Sequence, residues 1–365
     1  MHIPRISCIF RENYSTMKNI NSLGLFDDHF LMEKLTKLGD PLQKLNEYID
    51  WRIFERPLNE AFNNEAKDLK KGGRPPFSKL ILFKALLIQS LYNLSDDQLE
   101  YQIVDRASFK RFLGLKKSDK VPDSKTFWSF REQLIEKDVI MDLFEYFNET
   151  LDAKGVFANE GKMIDASFVE APRQRNTREE NKQIKETGKA PENWKDKPHM
   201  LCQKDLDGRW TKKNNTTFYG YKNHIKADTK TKLIEKYIVT DASVHDSQPV
   251  GQLLTKKDKD QPLYADSAYT GEEQEKIYNS KEVINKVHEK GYRNKPLTES
   301  QIASNKEKSS IRVRVEHIFG FVENSMHGSI VRTIGLARAK AKIGMMNLTY
   351  NICRATQLKI AIAMG

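Results

Sequence analysis

Apolar residues recur every three or four positions from Phe30 to about Phe62, at Leu35, Leu38, Leu42, Leu45, Ile49 and Ile53. That spacing predicts helix. The basic, glycine- and proline-bearing stretch Lys67–Pro76 predicts a break. Ser78–Tyr92 is rich in Leu, Ile and Ala and reads as a buried helix. Ser95, with Gln98 three residues on, has the form of a capping box opening the next helix, Gln98–Ile103. Ser108–Gly114 reads as a short helix closed by glycine, and Val121–Thr126 offers a cap before a helix over Phe127–Ile135. Val139–Lys154 is the last helix of this run. Short capped helices suit a helix-turn-helix, and they suit any small helical domain equally.

Beyond Gly155 the period changes. Lys162–Phe168 reads as a strand. Arg173–Asn215 is charged and poor in apolar residues, and is expected to be an exposed or partly disordered insertion. Tyr219–Ala227 and Lys232–Thr240 read as a hairpin joined by Asp228–Thr231. A short strand at Leu263–Asp266, a helix at Glu272–Asn279, a strand at Val283–His288 and helices at Ser310–Asn324 and Leu336–Ile362 follow. This order predicts an α/β fold: a ribonuclease-H-like core, a mixed sheet flanked by helices, with its first and fourth strands adjacent. The expected organisation is an N-terminal arm at 1–30, a helical domain at 31–155 and a catalytic domain at 156–365.

Composition narrows the partners. The chain has 365 residues and a formal net charge of +11, which favours polyanions, nucleic acid first. Residues 170–236 hold 17 Lys/Arg against 10 Asp/Glu, with Trp194, Trp210, Phe218, Tyr219 and Tyr221 interleaved. Basic side chains among rings suit a surface that follows a phosphate backbone and stacks on an unpaired base. A lysine-rich solvated surface gives the same composition. Cys8, Cys202 and Cys353 are far apart and have no zinc-like spacing, which reads as thiols in a reducing compartment. No secretory leader and no apolar run of membrane length is recognisable, so a cytoplasmic location is expected.

Three acids stand out. Asp165 follows the apolar run of the first strand, Asp266 lies in Tyr-Ala-Asp-Ser-Ala-Tyr, and Glu316 lies among Val313, Val315, Ile318 and Phe319 on a helix. Both aspartates are expected at the carboxyl edge of the sheet, where open α/β sheets bind ligands. Carboxylates gathered together call for cations, and a pair of divalent ions suits in-line displacement at a phosphodiester. Asp241 and Asp246 compete as turn formers, as supporting groups or as substrate contacts. Arg312, four residues before Glu316, can form an intrahelical ion pair or grip a phosphate. Lys222 and His224 alternate with apolar neighbours and therefore share a strand face, towards phosphate or towards solvent.

Taken in order, several motifs resemble the IS-five family of bacterial insertion-sequence DDE transposases. They are Gly-Arg-Pro-Pro-Phe (73–77), Leu-Tyr-Asn-Leu-Ser-Asp-Asp-Gln (91–98), Ile-Asp-Ala-Ser-Phe-Val-Glu-Ala-Pro (164–172), Tyr-Gly-Tyr-Lys-Asn-His (219–224), Tyr-Ala-Asp-Ser-Ala-Tyr (264–269) and Arg-Val-Arg-Val-Glu-His-Ile-Phe-Gly (312–320). The resemblance spans about Gly73 to Gln357. It implies a catalytic, metal-binding triad of Asp165, Asp266 and Glu316, with Mg²⁺ as cofactor and Mn²⁺ as substitute. It also implies binding of the element's terminal repeats by residues near 73–135.

The DNA contacts expected on this basis are Arg74, Lys110, Arg111, Lys222, His224, Arg312 and Arg314. The partners would be double-stranded DNA at element ends and target, in a homodimer or higher assembly near the nucleoid. Of the family's C-terminal signature, Tyr-x2-Arg-x3-Glu-x6-Lys, Arg312 and Glu316 match, whereas Ser309 and Glu323 stand at the Tyr and Lys positions. A catalytically silent DNA-binding regulator and a structure-specific nuclease on the same core are the alternative functions.

Overall fold

The computed structural model describes residues 27–62, 76–174, 176–213, 215–293 and 295–362. The chain divides into two compact units, residues 1–40 and 41–365. In the first, helix α1 covers Asp27–Lys37 and ends at Gly39, whose φ is +82°.

The second unit begins with helices α2 (Pro41–Tyr48), α3 (Glu55–Phe62), α4 (Lys79–Tyr92), α5 (Asp96–Asp105), α6 (Ala107–Leu113), α7 (Ser124–Glu136) and α8 (Val139–Ala153). Their limits follow from local chemistry. Ser95 Oγ accepts from the Gln98 N–H at 3.2 Å and Gln98 Oε1 accepts from the Ser95 N–H at 3.0 Å, closing the capping box of α5. Asp123 Oδ1 accepts from the Thr126 N–H at 2.7 Å at the start of α7. Gly114, at φ +73°, supplies the left-handed residue that ends α6. α4 buries nine of its fourteen residues, Leu82 through Ser90, so it is a core helix rather than an amphipathic one. Most of the 67–76 break and most of the 1–30 arm lie outside the described residues.

The sheet is built from β1 (Lys162–Glu170), β2 (Arg209–Lys213), β3 (Thr216–Asp228), β4 (Ile234–Asp241), β5 (Pro262–Tyr264) and β6 (Ile284–Asn285). β3 is antiparallel to β1, β2 and β4, and β1 is parallel to β5, which is parallel to β6. The sheet is therefore mixed. The expected adjacency of the first strand and the strand at Leu263 is present, with Lys162 opposite Leu263 and Met163 opposite Tyr264.

One face of the sheet packs on the helical region. The 22-residue helix α15 (Leu336–Gln357) buries most of its length between the sheet and the N-terminal helices, with Val315, Ile318, Phe144 and Tyr237 in the same core. Buried amides lock this junction: Asn347 and Asn223 exchange bonds at 2.9 and 3.1 Å, and Asn351 bonds Asn148 and the Ile234 carbonyl. The opposite face is covered by helices α11 (Val250–Leu253) and α12 (Glu272–Ser280) through Ile164, Leu253, Leu263, Tyr269 and Tyr278. Helices α13 (Glu299–Arg312) and α14 (Arg314–Gly320) complete the unit, the first starting eleven residues before the sequence pattern predicts.

The stretch expected to be an exposed insertion is structured. It forms helices α9 (Arg178–Thr187) and α10 (Pro198–Gln203) and then β2. Trp194 is fully buried there and donates through Nε1 to Glu180, which also caps α9 together with Thr177. Its low apolar content hides this order because two side chains, Ile184 and Trp194, supply much of its small core. Val283–His288, expected as a strand, contributes only two paired residues, with Ile284 half exposed at the sheet edge.

Candidate active site

β1 outruns its parallel neighbour. β5 stops at Tyr264, whereas β1 continues to Glu170, so past the Met163–Tyr264 pair the edge of β1 opens on that side. Asp165 and Asp266 both lie two residues beyond that pair. Asp165 is thus the fourth residue of a nine-residue strand, not a strand-end residue as expected. Asp266 is the residue past a strand end, where it caps a short 3₁₀ turn by accepting from the Ala268 N–H at 2.8 Å. The register brings the two side chains to one face, the face covered by α14.

Glu316 joins them through Arg312. Arg312 closes α13 and Glu316 lies in the first turn of α14, with Val313 forming the corner between the helices. Arg312 Nη1 donates to Asp165 Oδ2 at 2.9 Å and Nη2 donates to Glu316 Oε1 at 3.2 Å. One guanidinium therefore bridges two carboxylates, so the intrahelical ion pair expected from sequence is only half of its role. The other Asp165 oxygen accepts from the Ala166 N–H at 2.8 Å.

Electrostatics mark Asp165 as the most perturbed acid of the site. Burial pushes its carboxyl up to about 6, and Asp266 adds to that; the Ala166 N–H, Arg312 and Lys213 pull the other way. Tyr269, buried with no hydrogen-bond partner for its hydroxyl among the described residues, has its acidity suppressed by burial and then by Asp165, Asp246 and Asp266. No three His, Cys, Asp or Glu side chains among the described residues stand close enough to form a complete metal cage. An incomplete set of two converging aspartates, with Glu316 across a guanidinium, fits a hard cation that keeps water and phosphate oxygens as its remaining ligands.

The two signature positions have local partners of their own. Ser309 Oγ lies 3.2 Å from His288 Nε2, and the His288 N–H donates to the Ala265 carbonyl beside Asp266. Glu323 Oε1 accepts from Ser167 Oγ at 3.0 Å, two residues along β1 from Asp165, so this acid does face the strand that carries the site. His288 and Lys213 give no periodic or motif signal in the sequence.

The expected DNA-contacting residues scatter. Lys222 and His224 are buried, at 6% and 0% exposure. Lys222 donates to Asp246 at 2.7 Å and to the Val244 carbonyl at 2.6 Å. His224 Nε2 meets Thr240 Oγ1 at 2.9 Å; since that hydroxyl donates to the Asp241 carbonyl, Nε2 is the donor. On β3, Lys222 and Lys226 thus point at the layer that carries Asp246 and Asp258, and His224 meets Thr240 of β4, all three away from solvent. Asp246 is the acid that pairs with Lys222. Arg314 donates to the Thr229 carbonyl at 3.1 Å, and Lys110 donates to the Lys117 carbonyl at 3.2 Å on α6, which also carries Arg111. Arg74 lies outside the described residues. Of the interleaved aromatics, Trp194, Tyr219 and Tyr221 are buried, Phe218 stacks on Phe168 at 4.2 Å, and Trp210 is 39% exposed.

Residues 159–352 match the family described as Transposase DDE domain, and residues 29–133 match a Transposase domain (DUF772). Among solved structures, the piggyBac transposase synaptic complex with hairpin DNA is similar at a TM-score of 0.42 and 12% identity, over 89% of this chain and 77% of that one. No helix among the described residues is long and apolar enough to cross a membrane.

Proposed function

From the premise that the chain belongs to the Transposase DDE domain family, we propose that it binds the terminal inverted repeats of an insertion sequence, cuts phosphodiesters at the element ends and joins the freed 3′-OH to target DNA. The carrying observation is the convergence of Asp165 and Asp266 past the end of β5, with Arg312 linking Asp165 to Glu316. On this reading the sheet is a ribonuclease-H-like core, and the triad is Asp165, Asp266 and Glu316.

These three carboxylates would hold two divalent cations, Mg²⁺ by preference with Mn²⁺ as substitute. When bound, the ions supply a nucleophilic oxygen at neutral pH and offset charge on the leaving oxygen. The chain's own part is placement. Asp165 is fixed by strand pairing on β1, and Asp266 by the turn it caps. Arg312 offsets the charge of Asp165 and Glu316, and its fork has the geometry that would grip a phosphate oxygen if those carboxylates were held by cations instead. Helices α5 to α7, with Lys110 and Arg111 on α6, are the proposed repeat-binding surface, and double-stranded DNA in a dimeric or larger synaptic assembly is the proposed partner. No covalent protein intermediate is needed, since water and then the 3′-OH serve as nucleophiles.

A second reading, a DNA-binding regulator without catalysis, is favoured by one observation: Ser309 and Glu323 replace the Tyr and Lys of the family signature, and Glu323 faces the strand of Asp165. A labelled element-end duplex, incubated with Mg²⁺ or EDTA and wild type or Glu316→Gln, separates them. Metal-dependent nicks and joined products that vanish in the variant support the transposase. Nicks without joining point to a nuclease, and binding without cutting points to the regulator.

A further inference from the structure

A cavity away from the carboxylates carries chemistry that the proposed reaction does not use. Its volume is about 590 Å³, and it lies between α4, α5 and α7 on one side and residues 327–333 with α15 on the other. That size falls among sites that hold small organic ligands. Two ion pairs on its wall are self-contained: Arg131 grips Asp96 at 2.7 and 2.8 Å, and Arg338 grips Glu132.

Three polar groups are left over. Ser90 Oγ and Thr333 Oγ1 are buried without a hydrogen-bond partner among the described residues, and Ser90 is only 2% exposed. Buried hydroxyls of that kind call for a partner. Lys342, also on the wall, makes no hydrogen bond or ion pair among the described residues; burial and then Arg131 press its ammonium down to about 8, with Asp96 opposing. An unpaired ammonium held in such a place favours an anion. Arg332 adds a second cation at the exposed rim, where Trp128 and Ile330 are 53% and 50% exposed.

These features select a ligand. The lining has four Lys/Arg side chains against two carboxylates, which disfavours a cation. An inorganic anion would satisfy Lys342 and leave the Trp128 wall unused, and a plain hydrocarbon would leave Ser90, Thr333 and Lys342 unmet. A flat ring joined to a phosphate meets both demands, with the indole as a stacking surface. We propose that this cavity holds a single nucleotide, with its phosphate at Lys342 and Arg332 and its base against Trp128. A free nucleotide and an unpaired nucleotide of a DNA strand present the same chemistry, and the strand as source rests on the DNA-binding reading above.

The place gives the site a consequence. Ser329 and Val331, flanking Ile330 on the cavity wall, hydrogen-bond to Glu170 at the end of β1 at 2.8 Å each. An occupant would therefore touch the helical region and the segment that is hydrogen-bonded to the end of the strand of Asp165.

The test is titration of the full chain in EDTA, where no metal-dependent cutting competes, followed by tryptophan fluorescence and calorimetry. The probes are adenosine monophosphate, inorganic phosphate, adenosine, and two duplexes that are fully paired or carry one unpaired nucleotide. The monophosphate should bind saturably and at least tenfold tighter than phosphate or adenosine alone. Lys342→Met should weaken it at least tenfold, and Trp128→Ala, at an exposed position that leaves folding intact, should do the same. Glu316→Gln should stay within twofold of wild type. A preference for the unpaired duplex that Lys342→Met abolishes assigns the strand as source; equal duplexes with tight monophosphate binding assign the free nucleotide. The proposal is overturned if neither ligand shows binding sensitive to Lys342 and Trp128, or if phosphate binds as tightly as the monophosphate. Loss of the cleavage reading alone would leave these values unchanged.

Discussion

His224→Gln separates two roles that a histidine on a DNA-binding chain can have. The ring is fully buried on β3, its Nε2–H is spent on Thr240, and Nδ1 has no partner among the described residues. A second proton would sit on Nδ1 with nothing to receive it. Burial accordingly lowers the ring's pKa from 6.5 to about 4, against Asp246 and with a smaller contribution from Lys222. Between those two values the unfolded chain binds the proton that the folded chain refuses. The stabilisation is therefore full above about pH 6.5 and is lost as pH falls towards 4. At ~1.4 kcal/mol per tenfold in proton affinity, the loss reaches about 2 kcal/mol by pH 5.

Asp165, held up to about 6, works in the opposite direction over part of that interval, so wild type alone does not isolate the effect. The difference between wild type and His224→Gln does, since Asp165 is common to both. Urea unfolding at pH 7.5 and pH 5 should show wild type losing about 2 kcal/mol more than the variant on acidification. Affinity for an element-end duplex at pH 7.5 should be unchanged. Parallel acid losses, or a folded variant that has lost DNA affinity, would refute the argument and return His224 to the phosphate.

Four further outcomes follow. Asp266→Asn should abolish metal-dependent cleavage while holding or tightening duplex binding in a gel-shift titration, because it removes anionic charge beside the phosphate. Gly220→Ala would place a Cβ 2.5 Å from the Val169 carbonyl oxygen and 2.6 Å from the Ala171 nitrogen, at φ +141°, and should cost more than ~3 kcal/mol by thermal melting or leave the protein insoluble. Lys226→Met strands the fully buried Asp258, which both of its oxygens share with Lys226 at 2.7 Å, and should destabilise by about 3–5 kcal/mol in urea. Glu323→Lys exchanges an acid facing β1 for the signature cation, and should tighten element-end binding severalfold while steepening its salt dependence.

Where local chemistry decides structure, the sequence was readable. The capping box at Ser95, the glycine stop at Gly114, the Asp228–Thr231 hairpin and the adjacency of β1 to β5 all appear where pattern and turn residues placed them. Asp165, Asp266 and the Arg312–Glu316 pair were readable as candidates because each interrupts an apolar run. Burial of polar residues was not readable. Lys222, His224 and Lys226 alternate as a solvated face does, and only the segment carrying Asp246 and Asp258 folding over them makes an interior of that face. The start of α13 carries no periodic sequence signal, because Glu299–Arg312 buries no residue and so shows no stripe. His288 and Lys213 reach the site through loop path and strand pairing, which single-chain periodicity does not encode.

The hydrogen bonds between Glu170 and residues 329–331 tie a loop shut. The chain leaves Asp165, forms the rest of the sheet, returns through Arg312 and Glu316, and fastens itself five residues beyond its starting point. The segment from 312 to 331 is thus spanned between two anchors on one strand, at Asp165 and at Glu170. An added or deleted residue within it would shift Glu316 against Asp165 or break the fastening. Among the described residues of the connection between β6 and α13, 290–293 and 295–297, the backbone bonds are local, Tyr292 with Lys295, and none ties them to the strand of Asp165. Natural length variation and engineered tags should accumulate there and be absent from 312–331, which makes the distribution of tolerated insertions a readout of the site's geometry that needs no DNA substrate.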